Sequence, residues 1–331
     1  MGVTIRDIAQ ELGVNISTVS RCLNNSPQVS EKTRIKVLST ARHLGYRRDA
    51  RAQALRTGKS GIVGVVVGDI VNPFFAQLAD QIERKARALD LRIMICNGGE
   101  DPLKQEQAVA ALLEQQVDGL LLTPAGSPTP ALQSYVAEIP TVAIDRSLEA
   151  ENVDTVVADD VQAVTDLMQY LKNGDYTSAV VISGPYTTST GRIRQRLLQQ
   201  GLNEIGVKTR TVNIAYQEEL GEKAIVDFMQ EGVPDLVLCA SGVITLGVIK
   251  GLRSRGIRAG VDVDIVTFDR LTWLSAAIPA VITIDTKITE MADLGMQILQ
   301  QRIAGYTGAP LIKTVTSQLV LPETSNTENS W

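Results

Sequence analysis

The feature that most restricts what this 331-residue chain can become is an alternation that begins at Gly61. There the run "GIVGVVVGD", apolar and β-branched, gives way to "FAQLADQIERKARALD", in which apolar residues return at helical spacing. The exchange then repeats. Strands are expected in "LRIMICNGG", "VDGLLLTPA" and "IPTVAIDRS", with a helix in "PLKQEQAVAALLEQQ". A second round opens with the helix "ADDVQAVTDLMQYLKNG" and continues through the strands "SAVVISGP", "KTRTVNIAY", "PDLVLCAS", "VDIVTFD" and "VITID", with helices in "RIRQRLLQQGLNEIG", "GEKAIVDFMQEG" and "ITLGVIKGLRSRG". Short apolar runs joined by amphipathic helices build parallel strands with crossover connections, so the sequence predicts an α/β body of two doubly wound parallel sheets.

Sites in such sheets lie beyond the carboxyl ends of the strands. The residues just past each run are therefore the binding candidates: Asp69, Asn72 and Phe74, then Thr123, Asp145 and Arg146, Arg192, Tyr216, Ser241, and Asp269 with Arg270. Carboxylates, hydroxyls and arginines beside Phe and Tyr suit a polyol, whose vicinal hydroxyls take bidentate acceptors and whose C–H face takes an aromatic ring. The alternative for each position is that it caps the helix that follows.

The first sixty residues are different. They hold eleven Lys/Arg against four Asp/Glu, a balance of +7, while positions 61–331 hold 21 basic and 33 acidic residues, −12. The net −5 thus hides a basic head on an acidic body, the electrostatic footprint of a phosphate-backbone binder. In "VTIRDIAQELGVNISTVSRCLN", Ile5, Ile8, Ala9 and Leu12 recur at helical spacing after the N-cap Thr4, Gly13 turns the chain, and Asn15 caps a second helix. On that helix Val19 and Leu23 form the inward pair, leaving Ile16, Ser17, Ser20 and Arg21 toward solvent, small enough to enter a major groove and with an arginine to reach guanine or phosphate. A third helix runs from the cap Ser30 through Lys32, Ile35, Leu38, Ala41 and Leu44 to Gly45. Cys22 reads as packing. The segment "RAQALRTGK" is too short to hold a helix alone.

The runs "VTIRDIAQELGVNISTVSRCLN", "VSEKTRIKVLSTARHLGY" and "RAQALRTGKS" resemble the DNA-binding headpiece and hinge of the lactose-repressor (LacI/GalR) family. The resemblance implies a helix-turn-helix headpiece over residues 1–46, a linker and hinge helix over 47–60, and an effector-binding and dimerisation body over 61–331. Its lobes are expected at about 61–157 with 286–314 and about 158–285 with 315–331, similar to a periplasmic sugar receptor. By position, Asn15, Ile16, Ser17 and Arg21 would serve the DNA interface, with Ile16, Ser17 and Arg21 at base edges. Thr18, Asn24, Ser30 and Thr33 would position phosphates, Ser30 serving equally well as a cap. In the hinge, Ala52, Gln53 and Leu55 would enter the minor groove, Leu55 as the wedge. The Pro-Asn usual before the hinge is Arg48-Asp49 here.

The same resemblance makes the strand-end set an effector pocket, with "NPFF" intact from Asn72 to Phe75. There are three departures: Ser241-Gly242 for Asn-Asp, Arg270 for the second Asp of "FDD", and Leu197-Leu198 for Gly-Phe, of which the first two remove acidic groups. Arg146, Arg192 and Arg270 then favour an anionic effector, a sugar phosphate or sugar acid, over a neutral sugar. The alternative is that Arg146 or Arg270 pairs internally with Asp145 or Asp269. The resemblance implies a homodimer that binds double-stranded operator DNA under the control of a small sugar-derived effector, most simply as a repressor of carbohydrate metabolism.

Other classes fare worse. A sugar receptor without DNA function would carry a secretory signal and no basic head, whereas the amino terminus shows no long apolar segment, and no apolar run reaches the length of a membrane span. An enzyme on such a sheet would want GxGxxG, GxxxxGK[ST], or a nucleophile with its base, and "GIVGVVVG" has the wrong spacing for a phosphate loop. Cys22, Cys96 and Cys239 form no CxxC pair and His43 is the single histidine, so neither a metal nor another cofactor is expected, and the reduced cytoplasm is the expected compartment. The tail "PETSNTENSW" has no leucine heptads, which favours a dimer over a coiled-coil tetramer.

Overall fold

The structure, a computed structural model, describes residues 3–23, 26–46, 58–150, 152–277 and 281–322. The chain divides into two compact units, residues 1–60 and 61–331.

The first unit is built on α1 (Ile5–Leu12), α2 (Ile16–Leu23) and α3 (Glu31–His43). Asp7 closes the start of α1 by accepting from the Thr4 N–H at 2.7 Å and the Thr4 hydroxyl at 2.8 Å, and Gly13 ends it at φ 61°. The side-chain oxygen of Asn15 accepts from the Ser17 N–H at 3.0 Å, and the Ser30 hydroxyl accepts from the Thr33 N–H at 3.3 Å, so both serve as caps. Ile8, Ala9, Val19, Cys22, Val37 and Ala41 make the core, with Leu23 and Leu44 partly buried against it. The stripe expected on α3 is turned: Ile35 and Leu38 face solvent, because Val37 and Ala41 complete the core from the neighbouring face.

In the second unit the first sheet contains β1 (Ile62–Val67), β2 (Arg92–Asn97), β3 (Gly119–Leu122), β4 (Thr141–Asp145), β5 (Asp154–Asp159) and β11 (Ile312–Thr316), in the order β2-β1-β3-β4-β5-β11 and parallel throughout. Its helices are α4 (Pro73–Ala88), α5 (Pro102–Glu114), α6 (Pro130–Glu138) and α12 (Ile288–Ile303). Val63, Val65 and Val67 pack on α4 and α12, while Val66, Leu120 and Leu122 pack on α5 and α6. Cover on both faces explains why β1 is an unbroken apolar run.

The second sheet repeats the plan with β6 (Ser178–Ser183), β7 (Lys208–Asn213), β8 (Leu236–Cys239), β9 (Asp264–Phe268), β10 (Ile282–Asp285) and β12 (Gln318–Val320), ordered β7-β6-β8-β9-β10-β12. Only β12 runs antiparallel. Its helices are α7 (Val161–Leu171), α8 (Ser189–Glu204), α9 (Glu218–Phe228), α10 (Gly242–Ser254) and α11 (Thr272–Ala277). The chain passes between the sheets at Asp160, at Thr286–Lys287 and at Ser317.

Several elements went unread in the sequence. In "ADD", where the sequence predicts the start of a helix, Ala158 and Asp159 belong to β5, and α7 begins only at Val161. The helices α6, α11 and α12 and the strands β11 and β12 were likewise not anticipated.

Candidate functional site

The carboxyl ends of both sheets face one cleft. β4 ends in Asp145, and β9 is followed by Asp269; both are buried and both adopt a left-handed backbone, φ 70° and 73°. That conformation costs a non-glycine residue about 1 kcal/mol, although aspartate tolerates it better than most. Asn72 and Ser241, by contrast, cap the helices that follow them, accepting from the Phe74 N–H at 3.1 Å and the Ile244 N–H at 3.4 Å.

Two arginines fill the space between. Arg146 donates Nη1 to Glu100 at 2.6 Å, Nη2 to the other Glu100 oxygen at 2.9 Å, and Nη1 again to the Pro124 carbonyl at 3.1 Å. Its guanidinium carbon lies 5.5 Å from the Phe75 ring centre and 5.0 Å from that of Tyr216, so a ring of the first lobe and a ring of the second lie against the same cation. Gly184 makes room for Tyr216, since a Cβ there would stand 2.3 Å from the ring. The Tyr216 hydroxyl meets those of Thr188 and Thr190 at 3.3 and 3.2 Å.

Arg194, from α8, ties the lobe crossings together. Its Nε donates to Asp160 at 3.4 Å, Nη1 to the Ala240 carbonyl at 2.8 Å, and Nη2 lies 3.7 Å from Asp269, with the guanidinium 4.3 Å from the Phe268 ring centre. Asp160 also accepts the Ser317 hydroxyl at 2.5 Å, and Asp269 that of Thr286 at 3.4 Å. Every crossing between lobes is thus linked to one guanidinium.

Burial raises the proton affinity of both strand-end carboxylates. It pushes Asp145 up against the pull of Arg146 and Arg194, and pushes Asp269 up to about 6 against the pull of Arg194, with neighbouring carboxylates adding to each rise. Burial alone would lower Arg146 and Arg194. Glu100 outweighs it at Arg146, as do Asp269 and Asp160 at Arg194, so both arginines stay charged. Arg146 Nε, Arg194 Nη2 and the Thr123 hydroxyl are nevertheless buried without a hydrogen-bond partner. The open space among these groups is about 10 Å³, enough for one water, so a ligand the size of a sugar requires the lobes to part or side chains to swing.

On the first unit, α2 presents Ile16, Ser17 and Arg21 to solvent, backed by buried Val19 and Cys22. Thr18 and Thr33 are half-buried, and Asn15 and Ser30 are exposed caps. Asn24, Ala52, Gln53 and Leu55 lie outside the described residues.

Residues 4–49 match the family described as bacterial regulatory proteins, lacI family, and residues 60–308 match the periplasmic binding proteins and sugar binding domain of LacI family. The chain belongs to the LacI family. Among its relatives are the HTH-type transcriptional regulator RegA of Clostridium acetobutylicum, 31% identical with 90% of this chain and 92% of that protein covered, and DegA of Bacillus subtilis, 29% identical with 88% of each covered. The lac repressor bound to ONPG shares the fold with a TM-score of 0.80 at 22% identity, over 97% of this chain and 98% of that one. As a member of this family the chain is a DNA-binding transcriptional regulator, its helix-turn-helix in the first unit and its effector domain in the second.

The structure brings together Asn72, Phe74, Phe75, Asp145, Arg146, Tyr216, Ser241 and Asp269 at the cleft. Other candidates stand apart. Arg270 is exposed, and Asp69 is half-buried, where it accepts from the Val71 N–H and the Asn97 amide. Thr123 is buried beneath the cleft, its carbonyl held by Gln105. Arg192 sits at the rim, donating to the Tyr186 and Thr187 carbonyls and lying 3.7 Å from Glu149. Of the α8 arginines Arg192 and Arg194, the one that points inward is Arg194, and nothing in the sequence singles it out, nor Glu100, Asp160 or Thr190. The internal pairing weighed for Arg146 is present, with Glu100 as its main partner and Asp145 secondary at 3.5 Å.

Proposed function

We propose that this regulator represses genes of carbohydrate metabolism as a homodimer on double-stranded operator DNA, and that a small sugar-derived anion, a sugar acid or sugar phosphate, controls it from the inter-lobe cleft. Arg21, Ser17 and Ile16 read base edges, while Thr18, Ser30 and Thr33 meet phosphates. The observation that carries the control is the stack of Arg146 between Phe75 and Tyr216. A single side chain bridges two lobes, so any ligand that competes for its faces or its edge changes the lobe angle, and through it the spacing of paired headpieces. Ligand and operator then share one coupling energy.

The chain acts by binding and not by catalysis, and an operator partner places it in the cytoplasm. Selection of bound duplexes from a random pool, repeated with a panel of sugar acids, sugar phosphates and neutral sugars, tests the reading. A consensus of two related half-sites whose retention shifts with an anionic sugar supports it; retention indifferent to sequence overturns it.

A further inference from the structure

The guanidinium of Arg146 has a single approachable edge. Phe75 and Tyr216 lie against it, the Pro124 carbonyl takes one bond from Nη1, and the Nε edge faces Asp145 at 3.5 Å. What remains is the Nη1–Nη2 edge, which Glu100 fills with two hydrogen bonds of 2.6 and 2.9 Å. An anion reaches Arg146 only where Glu100 now sits.

Glu100 also differs in kind from the other carboxylates of the cleft. Asp145, Asp160 and Asp269 are fixed at strand ends or at a lobe crossing, with side chains 6%, 5% and 4% exposed. Glu100 stands on the loop between β2 and α5, after Gly98 and Gly99, at φ 54°, and its side chain is 18% exposed. Its carboxylate rests over Gly68, where a Cβ would come within 2.6 Å of Oε1. A buried guanidinium without a counter-charge is strongly unfavourable. Glu100 therefore leaves only when another anion takes its place, and of these four carboxylates its side chain is the most open to solvent.

Resting on the reading that the effector is anionic, we infer that Glu100 is a resident carboxylate ligand of Arg146 that the effector's carboxylate or phosphate displaces. Glu100 thereby sets the concentration at which the effector acts and restricts it to anions able to accept two parallel hydrogen bonds. A neutral sugar leaves the Glu100–Arg146 pair in place and gains nothing from its removal.

The test is calorimetry on the full chain and on Glu100→Gln and Glu100→Asn, the latter because asparagine tolerates a positive φ. The probes are gluconate, glucose 6-phosphate and inorganic phosphate against glucose. The expected result is that both variants bind anions roughly tenfold or more tightly than the natural chain, with glucose unchanged. A thermal melt gives a second readout: phosphate restores the variants' melting temperature more than chloride of equal ionic strength does. If the natural chain binds an anion and the variants bind it equally or more weakly, the resident-ligand inference falls while the anionic-effector reading stands. If only the variants bind anions, Glu100 is not displaced in the natural chain, and the displacement inference falls together with the anionic reading on which it rests. Variants indifferent to every anion, inorganic phosphate included, overturn the inference outright.

Discussion

Asp145 and Asp269 are counterparts. Each stands at the carboxyl end of the fourth strand in its sheet's order, each is buried with a left-handed backbone at φ 70° and 73°, and each is followed by an arginine. The two lobes then diverge, because Arg146 turns into the cleft while Arg270 is exposed. The inward cation that the second lobe does not take from Arg270 comes instead from α8, as Arg194. The cleft is therefore symmetric in its carboxylates and asymmetric in how it neutralises them.

Arg194 should be the costliest arginine of the body to remove. Replacing it by methionine leaves Asp160 and Asp269 buried without their shared cation and strips the lobe crossings of their common anchor. A loss of about 3–5 kcal/mol in unfolding free energy is expected by urea titration. Arg192→Met, at the rim, should cost at most ~1 kcal/mol. Equal losses at the two positions would contradict the assignment of Arg194 as the inward residue.

The raised Asp269 gives stability a definite pH signature. Its ordinary value is 3.8 and its folded value about 6, so between them the folded chain holds the extra proton. The contribution of this group is fully present below the unfolded value and is lost as pH rises through about 6. Asp145 moves in the same direction. Asp269→Asn should flatten this slope, so that the variant gains on the natural chain as pH climbs from 4 to 7 in parallel denaturant melts. A natural chain that gains on the variant over that range would reverse the sign and refute the burial argument.

The fold was largely legible because "GIVGVVVG" and "SAVVISG" can only be strands covered on both faces, and the loops after them mark the cleft. What escaped notice has specific causes. In "GRIRQR", arginines two residues apart point to opposite sides of a helix, and only packing decides that Arg194 faces in. Glu100 sits in "NGGEDP", a turn sequence without chemical signature, and its partner lies 46 residues away. On α3, "IKVL" offers two apolar stripes one residue apart, and the sequence does not say that Val37 rather than Leu38 meets Ile8. β5 is not legible because in "VVADDVQAV" apolar residues flank Asp159-Asp160 on both sides, and nothing local says that the strand ends at the first aspartate and the crossing sits at the second.

Tyr216 should report on lobe closure more than on folding. Tyr216→Leu keeps an apolar side chain beside Gly184 but removes the ring that lies against Arg146 from the second lobe. A cation–π contact of this desolvated kind contributes about 1–2 kcal/mol, so the closed form should lose roughly tenfold in population. Small-angle scattering of the variant should show a larger radius of gyration, with the urea midpoint nearly unchanged. A variant as compact as the natural chain would mean that the Ser147–Ser189 hydrogen bond at 3.0 Å and its neighbours suffice to hold the lobes.

Arg21 carries the sharpest prediction for the headpiece. It is exposed on α2, one position before the buried Cys22, so its side chain is free to leave while the core of Ile8, Val19 and Val37 stays intact. If it reads a guanine edge, Arg21→Ala weakens binding to a selected operator by about 1–3 kcal/mol and relaxes preference at one base pair of each half-site. If it only meets a phosphate, binding weakens evenly across sequences and the salt dependence becomes shallower by about one ion. Fluorescence anisotropy against the selected duplex and single-base variants, at two salt concentrations, separates the cases. Unchanged affinity with an intact circular-dichroism spectrum would remove Arg21 from the interface.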